Sequence, residues 1–469
     1  MGVGWHGDTN KSILLVLFLV VLKNKCICVM LVNCVLCIQS FRLRVSRAQV
    51  QIIVMGVKDN VYSSEMLGDL LPQYYKRLFP FQQYTRWMQY GQVDKNYMAH
   101  REFSFTLEDD IYLRYLSFSN QEELEAEMIK KCPHKIDIGA VYNARPSDHK
   151  KLTNFTPQER ELVFDIDMTD YDEVRYCCSG AKICSKCWTF MTIAVKIIDA
   201  ALREDFNFQN LLWVFSGRRG VHCWVADAEA RKLSGAARGA VAEYLQIVSG
   251  GEHKTKKVMV KGSVHPSVNR AYTIIKGYFE QLCLIDQDIL GNKESWTKVL
   301  SLIPDDDLRA DCNQICESGK DGIDRWNKML TRSKQYIMEK EYKKRKCSDN
   351  IMLEIMLQYA YPRLDIAVSK GMNHLLKAPF CIHPKTGKVC VPFKADKVDK
   401  FNPDEVPNVL ELVNQIDSFT KEKSDLKDVK AYKKTAMREY VTIFEEFLSN
   451  LATTWKGKKM EKSDESMDF

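Results

Sequence analysis

Between residues 100 and 225 apolar and polar positions alternate in short runs, the two-residue period of half-buried strands. HREFSFTL (100–107) and IYLRYLSF (111–118) flank Asp109 and Asp110 and predict a β-hairpin. KIDIGAVY (135–142) predicts another strand. LVFDID (162–167), LLWVF (211–215) and VHCWV (221–225) carry the near-continuous apolar runs of buried strands. Helical patterns lie between and around them, at 64–90 (punctuated by Pro72 and Pro80), 120–132, 188–205 and 228–248. This interleaving predicts a mixed α/β (α+β) core, a mixed sheet flanked by helices.

From 268 to 359 the pattern turns helical, which predicts a small helical insertion. Strand character returns at 362–370 and 389–393, before two last helical patterns over 404–419 and 432–451. The expected organisation is therefore a core over 55–267, a helical insertion over 268–359 and a second part of the core over 360–455. A charged, disordered tail is expected over 456–469. The first 54 residues stand apart. Their apolar run SILLVLFLVVL suits a signal-peptide core or, with the Cys-rich stretch after it, a membrane anchor. Met55 opens what looks like a soluble N-terminus, so 1–54 reads as a hydrophobic leader outside the working protein, and no membrane partner is expected.

Composition adds little. The 469 residues are 45% apolar and 28% charged, as in ordinary soluble domains, and the net charge of +7 is compatible with a polyanionic partner without identifying one. The 16 cysteines matter more, because four of them fall in CCSGAKICSKC, residues 177–187. Cys184 and Cys187 form a C-x-x-C knuckle. With Cys177 and Cys178 they supply four thiolates for a tetrahedral structural Zn²⁺, which favours a reducing compartment.

The chemistry concentrates where strands end. Asp165 and Asp167 flank Ile166 on a strand, so both carboxylates share one face, about 6–7 Å apart. Two carboxylates so placed repel unless protonated or bridged by a cation. Mg²⁺ suits that arrangement, with waters and substrate phosphates completing its shell; a loop start at a strand end would also explain the pair. A third carboxylate, Asp365 in RLDIAV or Asp137 in KIDIG, would complete the ligand set of a two-metal site. Periodicity leaves that choice open. SGRRG between two apolar strands combines Gly217 and Gly220, which permit a tight turn, with Arg218 and Arg219, planar donors matched to phosphate. Ser216 and His222 add donors. Taken alone, the motif is more often a basic surface hairpin, and it lacks the P-loop order. Lys377 and His383, in the Lys/His-rich 369–389 segment, are further phosphate-binding candidates.

Taken in order, DIDMTDYDEVR, CC-x5-C-x2-C, SGRRGVHCW and PRLDI-x-VSKG-x-NHLLK-x-PF-x-x-HPKTG resemble the small, catalytic subunit of eukaryotic DNA primase, over nearly everything after residue 65. The resemblance implies a primase-type core with a zinc knuckle and a helical insertion. It implies synthesis of short RNA primers on single-stranded DNA from ribonucleoside triphosphates, in the nucleus. Its metal triad falls on Asp165, Asp167 and Asp365 (two Mg²⁺ or Mn²⁺ ions), and its zinc ligands on Cys177, Cys178, Cys184 and Cys187. Its nucleotide-binding residues fall on Glu102, Arg114, Ser216, Gly217, Arg218, Arg219, Gly220, His222, Asn373, His374, Lys377 and His383. Implied partners are an iron–sulfur large primase subunit and the DNA polymerase α complex, with the apolar face of 66–78 as a candidate contact. A repair or bypass polymerase using deoxynucleotides and a non-catalytic nucleic-acid-binding scaffold are the alternatives.

Overall fold

The computed structural model describes residues 16–22, 25–31, 61–92, 96–250, 254–341, 346–422 and 430–465. The leader lies outside the described residues except for one antiparallel pair, Val16–Leu22 with Lys25–Leu31. Residues 1–60 form one unit and 61–469 another, and only the second carries the expected site residues. Among the described residues no helix is long and apolar enough to cross a membrane.

Among the described residues of the second unit, nine strands form two antiparallel sheets. In chain order they are β1 (Arg101–Thr106), β2 (Tyr112–Leu116), β3 (Lys135–Tyr142), β4 (Pro157–Glu159), β5 (Leu162–Asp167), β6 (Leu211–Phe215), β7 (Gly220–Val225), β8 (Leu376–Lys377) and β9 (Pro392–Phe393). One sheet runs β8-β3-β1-β2 with β4 also on β3; the other runs β9-β6-β7-β5. The α+β class is the expected one, with a difference: every named pairing is antiparallel, so two antiparallel sheets replace one mixed sheet. The physical reason is connection length. β1–β2 and β6–β7 are joined by tight turns, which only antiparallel neighbours permit.

Both sheets have buried faces. Leu162, Val163, Phe164 and Ile166 of β5 are all fully buried, as are Val221, Cys223, Trp224 and Val225 of β7. The helix Ser185–Glu204 contributes Phe190, Met191, Ile193, Ala194 and Val195 to the same core. Trp87 of the helix Phe81–Met88 meets Trp224 edge-on at 5.4 Å and Phe444 of the C-terminal helix at 5.9 Å, tying both ends of the unit to β7.

Three sequence expectations change. The 362–370 segment is not a strand: Asp365 caps a short helix, Ile366–Lys370, its Oδ1 accepting from the amides of Ala367 (3.0 Å) and Val368 (3.4 Å). A run of Leu, Ile and Val around one aspartate fits either element at that length. Pro72 lies inside the helix Leu67–Arg77 instead of breaking it. The C-terminal helix Met437–Glu465 continues into the segment expected to be a disordered tail, where lysine and glutamate are good helix formers. Between Pro266 and Ala360 the named elements are all helical, and strands on both sides of that stretch build the sheets.

Candidate functional site

β5 is an edge strand, and its free edge explains how the site is assembled. The carbonyls of Val163 and Asp165 face away from β7. They accept from the Ser369 hydroxyl (2.7 Å) and the Asp365 amide (3.3 Å). The capped helix thus covers an otherwise open sheet edge and sets Asp365 beside Asp165. Arg160, fully buried, holds that helix from below through the carbonyls of Val368 (3.1 Å) and Gly371.

The strand pairing places the other groups. Asp165 lies opposite His222 and Asp167 opposite Gly220. Gly220 is required there, because a Cβ would sit 2.4 Å from the Ile166 carbonyl. The SGRRG turn closes with Ser216 donating its amide to the Gly220 carbonyl (2.9 Å) and accepting the Gly220 amide on Oγ (3.0 Å). Gly217 adopts φ +86°, and a Cβ on it would meet the His383 Cβ at 2.8 Å and the Cys390 sulfur at 3.2 Å. Thr386 donates to the Gly217 carbonyl (2.7 Å) and Lys377 to that of Ser216 (3.3 Å), locking the turn onto the 376–388 segment. Gly217→Val therefore pries these two segments apart. We expect Gly217→Val to lower the unfolding free energy by about 1–3 kcal/mol, read by urea titration.

A cleft of about 300 Å³ results, lined by Asp165, Asp167, Ser216, Arg218, Arg219, Gly220, His222, His374, Lys377 and His383, together with Lys135, Leu375 and Leu376. At its margin Glu102, fully buried, accepts from Arg114 Nε (2.8 Å) and the Tyr142 hydroxyl (3.1 Å), and Arg114 reaches the Asn373 carbonyl (3.0 Å). Gly139 leaves the space in which Leu375 and Glu102 meet.

The electrostatics divide the cleft in two. Burial, then the charges of Asp167 and Asp365, push Asp165 up to about 6. Burial also acts against Asp167, but Arg219 Nε (2.7 and 2.9 Å) and the Thr169 amide and hydroxyl (2.9 and 2.8 Å) outweigh it and hold Asp167 below the usual range. Beside them, with His222 Nε2 3.6 Å from the Asp165 carboxylate, burial and Lys377 drive both His222 and His383 down to about 3. At neutral pH these histidines are hydrogen-bonding groups, and the positive charge comes from Arg218, Arg219, Lys135 and Lys377.

Two groups escaped the sequence reading. Lys135 opens β3 and lines the cleft, held at 3.0 Å by Asp137, which also accepts from Ser104 (3.1 Å). The carboxylate of Asp137 is thereby engaged within the first sheet. Asp170, in the turn Met168–Tyr171 that follows β5, is raised to about 6 by burial and then by the charges of Asp167, Asp165 and Asp365, so it belongs to the same acidic group. Neither carried a local signal: Lys135 is one lysine in a common strand pattern, and Asp170 follows the strand.

The cysteine group lies at the N-terminus of the helix Ser185–Glu204. Its four sulfurs all fall within 4.8 Å of one another, including both members of the adjacent Cys177–Cys178 pair. Cys184 lies 3.6 Å from Cys177 and 3.9 Å from Cys187. A tetrahedral zinc with bonds near 2.3 Å requires sulfurs ~3.8 Å apart, so the donor set fits that ion. Burial opposes ionisation, but backbone amides of the helix's first turn bring Cys184 down to about 7.

Residues 164–395 match the family model described as DNA primase small subunit. The chain is 45% identical to the DNA primase small subunit of Drosophila melanogaster over 86% of its own length and 95% of the relative's. It is 41% identical to that of Schizosaccharomyces pombe (78% and 82% covered) and 34% identical to that of Saccharomyces cerevisiae (84% and 96%). With this identity sustained over nearly whole chains, the protein belongs to the DNA primase small subunit family.

Proposed function

We propose that the chain is the catalytic subunit of a DNA primase, a nucleotidyltransferase that makes short RNA primers on single-stranded DNA from ribonucleoside triphosphates. The single observation that carries this reading is the pairing of an acidic wall (Asp165 and Asp167, with Asp365 fastened beside them) with a cationic one (Arg218, Arg219, Lys135, Lys377) in one cleft. The acidic wall fits hard divalent cations, Mg²⁺ or Mn²⁺, because the charges of Asp167 and Asp365 bear on the buried Asp165 and a cation there would relieve them. Asp165, Asp167 and Asp365 would hold such ions, which when bound would supply activation of a 3′-hydroxyl and stabilisation of pyrophosphate charge.

The chain's own residues do the rest. Arg218, Arg219 and Lys377 meet the growing negative charge of the triphosphate with preorganised donors, and neutral His222 and His383 donate hydrogen bonds to its oxygens. Arg219 bridges the two walls, since its guanidinium already holds Asp167. Glu102 and Arg114, tied to each other and to the Asn373 carbonyl, form the far margin where the sugar and base would lie. The template would lie in the basic surroundings of the cleft, bound mainly through phosphates and weakened by salt. By membership of the family the subunit would work in the nucleus with a large subunit, an iron–sulfur protein, and with the polymerase α complex. Zinc at the four cysteines would be structural.

The cation reading has a test independent of catalysis. Asp165 holds its proton more tightly folded than unfolded, so ionising it destabilises the metal-free protein as pH rises through about 6. A divalent ion bound there reverses that penalty. Mg²⁺ or Mn²⁺ should therefore raise the melting temperature at pH 7.5 and lose the effect below pH 6, where protons occupy the site. An equal shift at pH 5 and 7.5 would contradict the assignment.

A further inference from the structure

We propose that Gln287 is a positioning residue for the metal of the cysteine knuckle, and that through it the helical stretch after Pro266 is fastened to that metal. The proposal rests on the zinc reading above. Gln287 lies 110 residues from the knuckle in sequence. It belongs to none of the motifs, yet it is only 2% exposed. Its side-chain oxygen accepts from the amides of Tyr176 (2.8 Å) and Cys177 (3.2 Å). Its side-chain nitrogen donates to the Cys177 sulfur at 3.4 Å. The two backbone donors fix which end of the amide is oxygen, so the NH₂ end must face the sulfur.

The backbone is shaped to deliver this side chain. Residues Glu280–Asp286 form a π-helical turn, and the Gln287 amide closes it on the Leu282 carbonyl (2.9 Å). Such wide turns are rare and recur at functional sites. The next residue, Asp288, has φ +49°, and the Ile289 amide returns to the Cys283 carbonyl (3.1 Å), so Gln287 projects from a doubly anchored corner.

The chemistry asks for such a group. Four thiolates around one divalent ion leave a net charge of −2, which N–H donors to sulfur offset. The Cys184 amide serves Cys187 (3.2 Å), and Arg175 approaches the same sulfur at 3.8 Å while its other contacts hold the Lys182 and Gly180 carbonyls of the intervening loop. Gln287 serves Cys177, at the opposite end of the knuckle, and pins the backbone that carries it.

The test uses the full chain purified with zinc, as wild type, Gln287→Glu and Gln287→Leu. Zinc affinity is measured by competition with a metallochromic chelator, with the thiolate-to-cobalt absorption band of the Co²⁺ form as the spectroscopic readout. Gln287→Glu still accepts from Tyr176 and Cys177 but turns a carboxylate oxygen toward the sulfur. Both variants should remain folded by circular dichroism, bind zinc about 10–100-fold more weakly and shift the cobalt band. Folded variants with wild-type affinity and an unmoved band would overturn the proposal. So would loss of the fold in both variants with zinc saturating, since that would make Gln287 a residue of the fold alone. A wild-type chain that binds no zinc would instead remove the zinc reading itself.

Discussion

Asp165→Asn should give a protein that melts at a higher temperature than the parent and extends no primer, with a loss of activity on the order of 10³-fold, about 4 kcal/mol of transition-state stabilisation. Both halves follow from one geometry. Asp165 shares a strand face with Asp167 and has Asp365 fastened to its carbonyl, so three negative charges are held together partly out of water. Replacing one carboxylate by an amide of the same shape removes repulsion without opening a void. The strand stays paired to β7, and Ser369 and Asp365 still cap its edge through backbone groups that the change leaves alone. On the proposed mechanism, what is lost is one cation ligand at the point where phosphate charge develops. A thermal melt and a primer-extension assay on the same preparation decide it. An Asp165→Asn protein with near-parental activity would remove Asp165 from the metal site, and one that is inactive because unfolded would make the residue a fold determinant instead.

Glu161→Ala should lower the unfolding free energy by about 3–5 kcal/mol, the largest stability effect expected of any single change near the site. Glu161 stands immediately before β5 and is fully buried, as is Arg101. They meet through two bonds, 2.7 Å and 3.0 Å, while the Tyr90 hydroxyl donates to the same carboxylate at 2.6 Å and Arg101 also reaches the Gly139 carbonyl at 3.2 Å. Removing the glutamate strands a guanidinium in the core. Measured against a typical total of about 5–15 kcal/mol, the change removes a large share of the stability. Burial alone would raise Glu161, but Arg101 and Tyr90 bring it down to about 2. Its stabilising contribution is therefore complete above pH ~4.5 and disappears as pH falls toward 2. Urea titration of wild type and variant at pH 7 measures the difference; a change below 1 kcal/mol would contradict the buried-pair account. Loss of activity in this variant should track the folded fraction, unlike that of Asp165→Asn.

The two residues also show what sequence does and does not disclose here. β5, β6 and β7 were legible because their apolar runs are bounded by charged or glycine-rich turns, and the paired aspartates and the SGRRG turn stood out as polar interruptions of buried strands. The cysteines were legible from spacing. The capped helix at Asp365 was not, because Leu364, Ile366 and Val368 suit a strand as well, and only the open edge of β5 selects a helix whose first residue can bond across to it. The Arg101–Glu161 pair and Gln287 were invisible for a common reason: each acts through a partner that the folded chain brings from elsewhere, and each, like Lys135, looks locally like any other polar residue in its element. Asp170 carries no signal of its own because it lies past the strand, yet the 168–171 turn leaves it within the electrostatic reach of the other three carboxylates.

The central claim is that this cleft joins ribonucleotides on a DNA template through its three carboxylates. The most direct measurement incubates the purified chain, and its Asp165→Asn form, with poly-dT carrying an annealed oligoadenylate, Mg²⁺ or Mn²⁺, and either ATP or dATP, and resolves the products by length. The expected result is cation-dependent extension by the parent with ATP in preference to dATP, and none by the variant. Extension with dATP alone would point to a bypass polymerase, and no extension with either nucleotide would leave the chain a binding scaffold; each contradicts the account.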